Sequence, residues 1–227
     1  MVYVVISLVV IPLPYRLQYE IVTSWCSLEM LILRLIFGIR FRVIGKENLG
    51  DGAKVVVSNH QSALETIMFT RLFPNQTWVL KKAILWLPLF GWAIGTLKPI
   101  AINRSNKREA MREILRQGKD RLASGIWVVM FPEGTRVQPG EYKKFQKGGS
   151  VLAHSAKAPL LPVAVSTATV WPKNSIKKYA GEALISIGEP ITEGTATEMN
   201  NQAEQWIREE LSRLQAIQSK ETKQAGD

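Results

Sequence analysis

From Lys46 onward, short β-branched runs alternate with stretches of helical spacing, and this alternation constrains the fold more than any other feature of the chain. Strands are expected at residues 55–58, 77–79, 100–102, 127–131, 161–166 and 184–187. Helices are expected from about residue 63, over 107–122 and from about residue 149. A strand, a crossover helix and a further strand build a parallel ladder, so the expected class is α/β with a largely parallel central sheet flanked by helices. In sheets of this kind chemistry collects beyond the carboxyl ends of the strands. A last helix over 198–219 carries Ala203, Trp206, Ile207, Leu211, Leu214 and Ile217 on one face and is expected to pack on the domain.

Upstream of residue 43 the texture differs. Residues 1–15 are mostly Val, Ile and Leu. As a helix they reach roughly 20 Å, against a hydrocarbon core of about 30 Å, so they are too short to span a bilayer. Pro12 and Pro14 break the run, and no small-residue cleavage site follows it. From Leu17, apolar residues recur at Ile21, Trp25, Leu28, Ile32, Leu35 and Ile39, which predicts an amphipathic helix. That helix either faces the core of the domain or, with the preceding run and with Arg40 and Arg42 at headgroup level, forms a helical hairpin dipped into one leaflet. The second reading is adopted. It divides the chain into membrane-associated helices (1–42), an α/β domain (43–219) and a disordered tail (220–227). Cys26, inside the apolar helix, reads as a small buried hydrophobe.

One cysteine and two histidines exclude a disulfide scaffold and a finger-type zinc site. A net charge of +10 leaves nucleic acid, an anionic lipid surface or phosphorylated substrates as partners. Residues 95–150 hold twelve basic against five acidic residues, so most of the excess lies in one central stretch. Aromatic residues are not interleaved with the basic ones as single-strand binders prefer.

Two strand ends carry chemistry. The first strand runs into Asn59-His60-Gln61-Ser62-Ala63-Leu64-Glu65. Five helical steps would leave His60 and Glu65 some 140° apart, so the histidine must lie before the helix. Ser62 and Glu65 read as a capping box that turns the Glu65 side chain back toward His60. Either this is a cap beside an incidental solvent histidine, or the carboxylate fixes the tautomer of a working base. The second strand runs into Phe131-Pro132-Glu133-Gly134-Thr135-Arg136, a tight loop whose backbone N–H groups and guanidinium suit a phosphate. Taken alone, it also fits a surface turn.

Together, the NHxxxxE and FPEGTR blocks resemble the signature of the glycerolipid acyltransferases, specifically the 1-acyl-sn-glycerol-3-phosphate (lysophosphatidate) acyltransferase family. Ala101-Ile102-Asn103-Arg104 after the Trp-rich stretch 85–92, and Leu161-Pro162-Val163-Ala164, look like two further blocks in the right order. The resemblance extends over about residues 16–190. It departs in three places: Glu65 stands where the family more often has Asp, residues 163–167 lack a His-Asn pair common among relatives, and the opening apolar run is shorter than the membrane segment of many relatives.

The resemblance implies transfer of a fatty acyl group from acyl-CoA or an acyl carrier protein thioester to the sn-2 hydroxyl of lysophosphatidate, giving phosphatidate. His60 would be the general base and Glu65 its orienting carboxylate. Arg136 with Glu133, Gly134 and Thr135 would bind the acceptor phosphate, joined by Arg104. No metal, cofactor or nucleic acid is expected, and no acyl-enzyme, since GxSxG is absent and Gly148-Gly149-Ser150-Val151-Leu152 fails it at the last position. Lys81, Lys82, Lys143, Lys144 and Lys147 are assigned to the donor's phosphates or the lipid surface, with a solvated face as the alternative for each. His154, mid-helix, is given no role. The expected location is the bacterial inner membrane with the site facing the cytoplasm. Alternatives are another lysolipid acceptor such as a lyso-aminolipid, a phosphate-ester hydrolase or lipase-like enzyme, which lacks a visible nucleophile or metal cluster, and a non-catalytic basic binding module.

Overall fold

The computed structural model describes residues 2–224. In chain order the elements are α1 (Val2–Val9), α2 (Tyr15–Leu35), β1 (Ile39–Ile44), β2 (Val55–Ser58), α3 (Leu64–Leu72), β3 (Gln76–Lys81), α4 (Phe90–Gly95) and β4 (Ile100–Ile102). They continue with α5 (Lys107–Ala123), β5 (Trp127–Met130), α6 (Gly148–Ala156), β6 (Leu160–Ser166), β7 (Gly181–Ile187) and α7 (Ala196–Gln224). One seven-stranded sheet runs β1-β7-β6-β2-β5-β3-β4. The five strands from β6 to β4 are mutually parallel; β7 pairs antiparallel with β6, and β1 parallel with β7.

The central strand shows why the sequence takes this form. Val55, Val56 and Val57 are all buried. Their side chains alternate between two cores, Val56 toward one and Val55 and Val57 toward the other. The Val56 core is closed by Tyr19 and Leu33 of α2 and by Met68 and Phe69 of α3. The opposite core is closed by Ala110 and Ile114 of α5, Leu152 of α6 and Leu214 of α7. The domain is therefore a three-layer α/β sandwich, with α2 and α3 on one face and α5, α6 and α7 on the other.

The amino-terminal third differs from its expected form. The helix that starts at Tyr15 ends at Leu35, and Ile39 opens β1, an edge strand that the helical spacing concealed. The boundary placed between residues 42 and 43 thus falls inside a strand, where Arg42 Nη1 donates to Glu182 Oε2 at 3.1 Å. Of the expected apolar stripe, Leu17, Trp25, Leu28 and Leu35 are exposed, Ile21 and Ile32 are half-buried and Ile39 is buried. The inward face of α2 is mixed, with Gln18, Tyr19, Val22, Thr23, Cys26 and Leu33 buried. Its polar groups are satisfied by main-chain acceptors, Gln18 Nε2 donating to Thr96 O at 2.8 Å and Tyr19 Oη to Thr70 O at 3.2 Å. The helix thus packs on the core, as the core-facing alternative expects, but mainly through this mixed face, with Ile21 and Ile39 the members of the stripe that join the core. No helix among the described residues is long and apolar enough to cross a membrane. At the other end, α7 continues to Gln224, past the point where a tail was expected to begin, and residues 225–227 lie outside the described residues.

Candidate active site

The loops that follow β2 and β5, neighbouring parallel strands, meet at His60. Its main chain is clasped by the second loop: His60 N–H donates to Glu133 Oε2 at 2.7 Å, and His60 O accepts from Val137 N–H at 2.7 Å. Its ring stacks on Phe131, 3.9 Å between centroids at 15°, and Phe131 stacks in turn on Phe69. The imidazole Nδ1 lies 3.3 Å from Glu65 Oε1. This leaves Nε2 as the nitrogen free for a substrate.

Glu65 is fully buried, and its charge is matched by donors. Oε1 accepts the N–H groups of Gln61 at 2.5 Å and Ser62 at 2.7 Å, while Oε2 accepts Thr167 Oγ1–H at 3.0 Å. The first two bonds are the returning half of a capping box. The forward half departs from the expected form: Ser62 Oγ accepts from Leu64 N–H at 3.2 Å, and the helix starts one residue later. The histidine loop is also tied to the end of β6. Asn59 exchanges two bonds with the Val165 main chain, and Gln61 Oε1 accepts Thr167 N–H at 3.1 Å.

The second loop turns at Gly134, whose φ of +71° favours glycine and whose N–H reaches Phe131 O at 2.9 Å. Gly134 O accepts from Arg104 Nη1, which brings the loop after β4 to the same place. Gly134, Thr135, Arg136, Arg104 and His60 all line one cavity of about 820 Å³. Its remaining wall is mainly apolar and includes Val22 and Cys26 of α2, Ile67 of α3, Leu80 of β3 and Phe90 of α4.

Glu133 differs from its expected place. The family resemblance implies a place for it beside the acceptor phosphate, but its buried carboxyl turns inward onto the His60 N–H. Burial pushes this carboxyl up to about 7; Glu65 adds to the rise, while the His60 N–H and Lys143 oppose it.

Of the five lysines, Lys81 lines the large cavity. Lys81 and Lys82 also line a second cavity of about 700 Å³ beside Asn103 and Gln117. Lys143 and Lys144 are exposed, and Lys147 Nζ donates to Thr197 Oγ1 at 3.1 Å; none of the three lines either cavity. His154 is exposed. Thr167 and Gln61 were not singled out in the sequence. Thr167 stands 102 positions from Glu65, and no spacing rule links them.

Known proteins resemble this chain in sequence and in fold. A family model described as "Acyltransferase" matches residues 40–166. The chain is 39% identical over 214 residues to the 1-acyl-sn-glycerol-3-phosphate acyltransferase of Pseudomonas aeruginosa, covering 92% of this chain and 83% of that protein. It is 32% identical over 169 residues to the Saccharomyces cerevisiae protein of the same name, covering 71% of this chain and 54% of the yeast protein. Among solved structures, the 1-acyl-sn-glycerophosphate (LPA) acyltransferase PlsC of Thermotoga maritima superposes with a TM-score of 0.73 over 92% of this chain and 87% of that one. At 23% identity, that match concerns the fold.

Proposed function

The chain belongs to the acyltransferase family, and from that premise we propose that it acylates the sn-2 hydroxyl of 1-acyl-sn-glycerol-3-phosphate to give phosphatidate. The observation that carries this reading is the juxtaposition in one cavity: a carboxylate-held imidazole, two guanidinium groups, and an apolar wall large enough for lipid chains. In this reading, neutral His60 takes the acceptor hydroxyl proton on Nε2 as that oxygen attacks the thioester carbonyl of acyl-CoA or an acyl carrier protein. Glu65 holds Nδ1–H and stabilises the imidazolium that forms. Collapse of the tetrahedral intermediate breaks the C–S bond, and the proton on Nε2 passes to the departing sulfur, so that an ester and a free thiol result. The reaction needs no metal or organic cofactor and no acyl-enzyme.

Arg136 and Arg104 would hold the acceptor phosphate, with Gly134 and Thr135 shaping the loop beside it. Glu133 would act through the main chain of His60 rather than on the phosphate. The acyl chain would lie along the apolar wall between α2, α3 and α4. Such substrates reside in membranes, and the outward apolar face of α2 supports attachment to one leaflet, which we place on the cytoplasmic side of a bacterial inner membrane.

The test offers purified protein lysophosphatidate and other lysolipids with each donor class and follows the diacyl product. Phosphatidate should form, and His60→Ala should reduce turnover by at least about 10²-fold without loss of folded protein. Retention of most activity in the alanine variant would sink the general-base role.

A further inference from the structure

Residues that follow β3 build a tight apolar projection. Lys82–Trp86 form a 3-10 turn, Leu87 N–H returns to Ile84 O at 3.1 Å, and Gly91 N–H to Leu87 O at 2.7 Å. A side chain at Gly91 would lie 2.4 Å from Leu85 O, so the backbone closes tightly on itself there. Leu89 is held at φ +65°, a costly conformation for a branched residue. Yet this constrained segment presents large apolar groups to the outside: Trp86 is 79% exposed, Phe90 54% and Trp92 53%. A rigid loop that spends strain on holding indoles in water has the character of a binding surface.

Three observations favour a lipid surface as its occupant. Lys81 and Lys82 are exposed at the base of the projection, the pairing of cationic and indole groups found at headgroup level. Helix α4 packs against α1, whose Val5, Leu8 and Val9 are also exposed, so the apolar face is continuous across both. Leu89 and Phe90 form part of the wall of the large cavity, so the cavity adjoins the projection.

We propose that residues 82–92 are a further membrane contact, beside that of α1 and α2, that seats Trp86 and Trp92 among the headgroups of an anionic bilayer and sets the cavity against the leaflet. The choice of lipid over a protein occupant rests in part on the lipid substrate proposed above. Binding itself is measurable without turnover.

The experiment compares the parent protein with a Trp86→Ala/Trp92→Ala variant, both positions lying outside the wall of the large cavity, by co-sedimentation with vesicles of equimolar phosphatidylcholine and phosphatidylglycerol. Partition should weaken by at least about tenfold. Turnover on detergent-dispersed substrate and the melting temperature should hold. The parent should bind pure phosphatidylcholine vesicles less well than the anionic ones. Tyrosine at both positions, which keeps an interfacial ring, should recover most of the binding and guards against a folding defect in the alanine variant. Undiminished partition of the alanine variant, or failure of tyrosine to restore it, overturns the proposal. So does lipid-free self-association that the alanine variant abolishes, which would assign the face to a second copy of the chain. If the parent binds vesicles as expected but transfers no acyl group to any acceptor, the catalytic reading fails and the membrane contact stands.

Discussion

At His60 the side chain and the main chain are fixed by different partners, and the distinction decides what each neighbour should do when changed. The ring depends on Glu65, and Glu65 depends on Thr167, whose hydroxyl meets Oε2 at 3.0 Å where both groups are fully buried. A hydrogen bond to a charged group contributes about 1.5–3 kcal/mol, and losing its donor inside the protein leaves the carboxylate short of a partner. Thr167→Val should therefore lower kcat by about tenfold or more with little change in KM for either substrate, and Thr167→Ser should restore it. An equal loss in the serine variant would assign Thr167 to packing alone. The main chain of His60 depends on Glu133, whose carboxyl is pushed up to about 7, chiefly by burial. Between the ordinary carboxylate range and about pH 7, the folded protein holds a proton at Glu133 that the unfolded chain has released. Stability should thus fall as pH rises through that window. Glu133→Gln keeps an oxygen for the His60 N–H and removes the titration. In urea unfolding at about pH 5 and about pH 8, the variant should gain up to a few kcal/mol on the parent at the higher pH only, since one pKa unit corresponds to about 1.4 kcal/mol. Parallel pH dependence in the two proteins would mean that Glu133 titrates as an ordinary carboxylate. His60 and Glu65 were legible in the sequence because the cap that aims one at the other is local. Thr167 and the inward turn of Glu133 were not, because their partners come from distant strands.

Among the elements, α2 does two things at once, and the sequence exposed only one of them. Its regular leucines mark the outward face, whereas the inward face mixes Gln18, Thr23 and Cys26 with Tyr19, Val22 and Leu33, a pattern without a clean hydrophobic period. β1 was hidden for a related reason: Ile39 continues the helical spacing, and Arg40 and Arg42 read as cations beyond a helix end. The valine-rich central strands were plain because burial on both faces leaves an unbroken β-branched run. The consequence is that the first 40 residues are not a detachable anchor. Tyr19, Val22, Leu33 and Ile39 are buried in the core, and at about 1.5–3 kcal/mol each their removal approaches the about 5–15 kcal/mol that holds a domain together. A protein lacking residues 2–40 should lose cooperative thermal unfolding. One lacking residues 2–13, which removes α1 and leaves α2 whole, should retain it. A sharp melt at parental temperature for the longer deletion would show that the sheet stands without α2 and β1.

For the whole molecule, the two faces of the sheet carry different surfaces. The exposed apolar residues of α1 and α2 belong to the layer that holds α2 and α3, whereas Trp86 of the 82–92 projection lies at the β4 edge of the sheet, in a cavity shared with Glu109 and Glu113 of α5. Half of the twelve basic residues of 95–150 lie on α5, where Lys107, Arg108, Arg112, Arg116 and Lys119 are exposed, and α5 packs in the opposite layer with α6 and α7. Sequence could show how many cations fall in that stretch but not which side of the sheet they occupy. If the apolar layer rests on a bilayer, these cations face water, where the donor arrives. Both donor classes are polyanionic, and a cationic face raises the encounter rate by about 10- to 10³-fold at low ionic strength. Charge reversal at two positions, Arg108→Glu/Arg112→Glu, should therefore lower kcat/KM for the thioester donor by about tenfold and flatten its salt dependence. Arg116 is left in place because it pairs with Glu113 at 2.8 Å. Co-sedimentation with anionic vesicles should change less than the donor kinetics, since the exposed apolar residues of α1 and α2 lie on the other face of the sheet. The opposite pattern, with vesicle binding lost and donor kinetics unchanged, would turn α5 toward the membrane and require a different seating of the molecule on it.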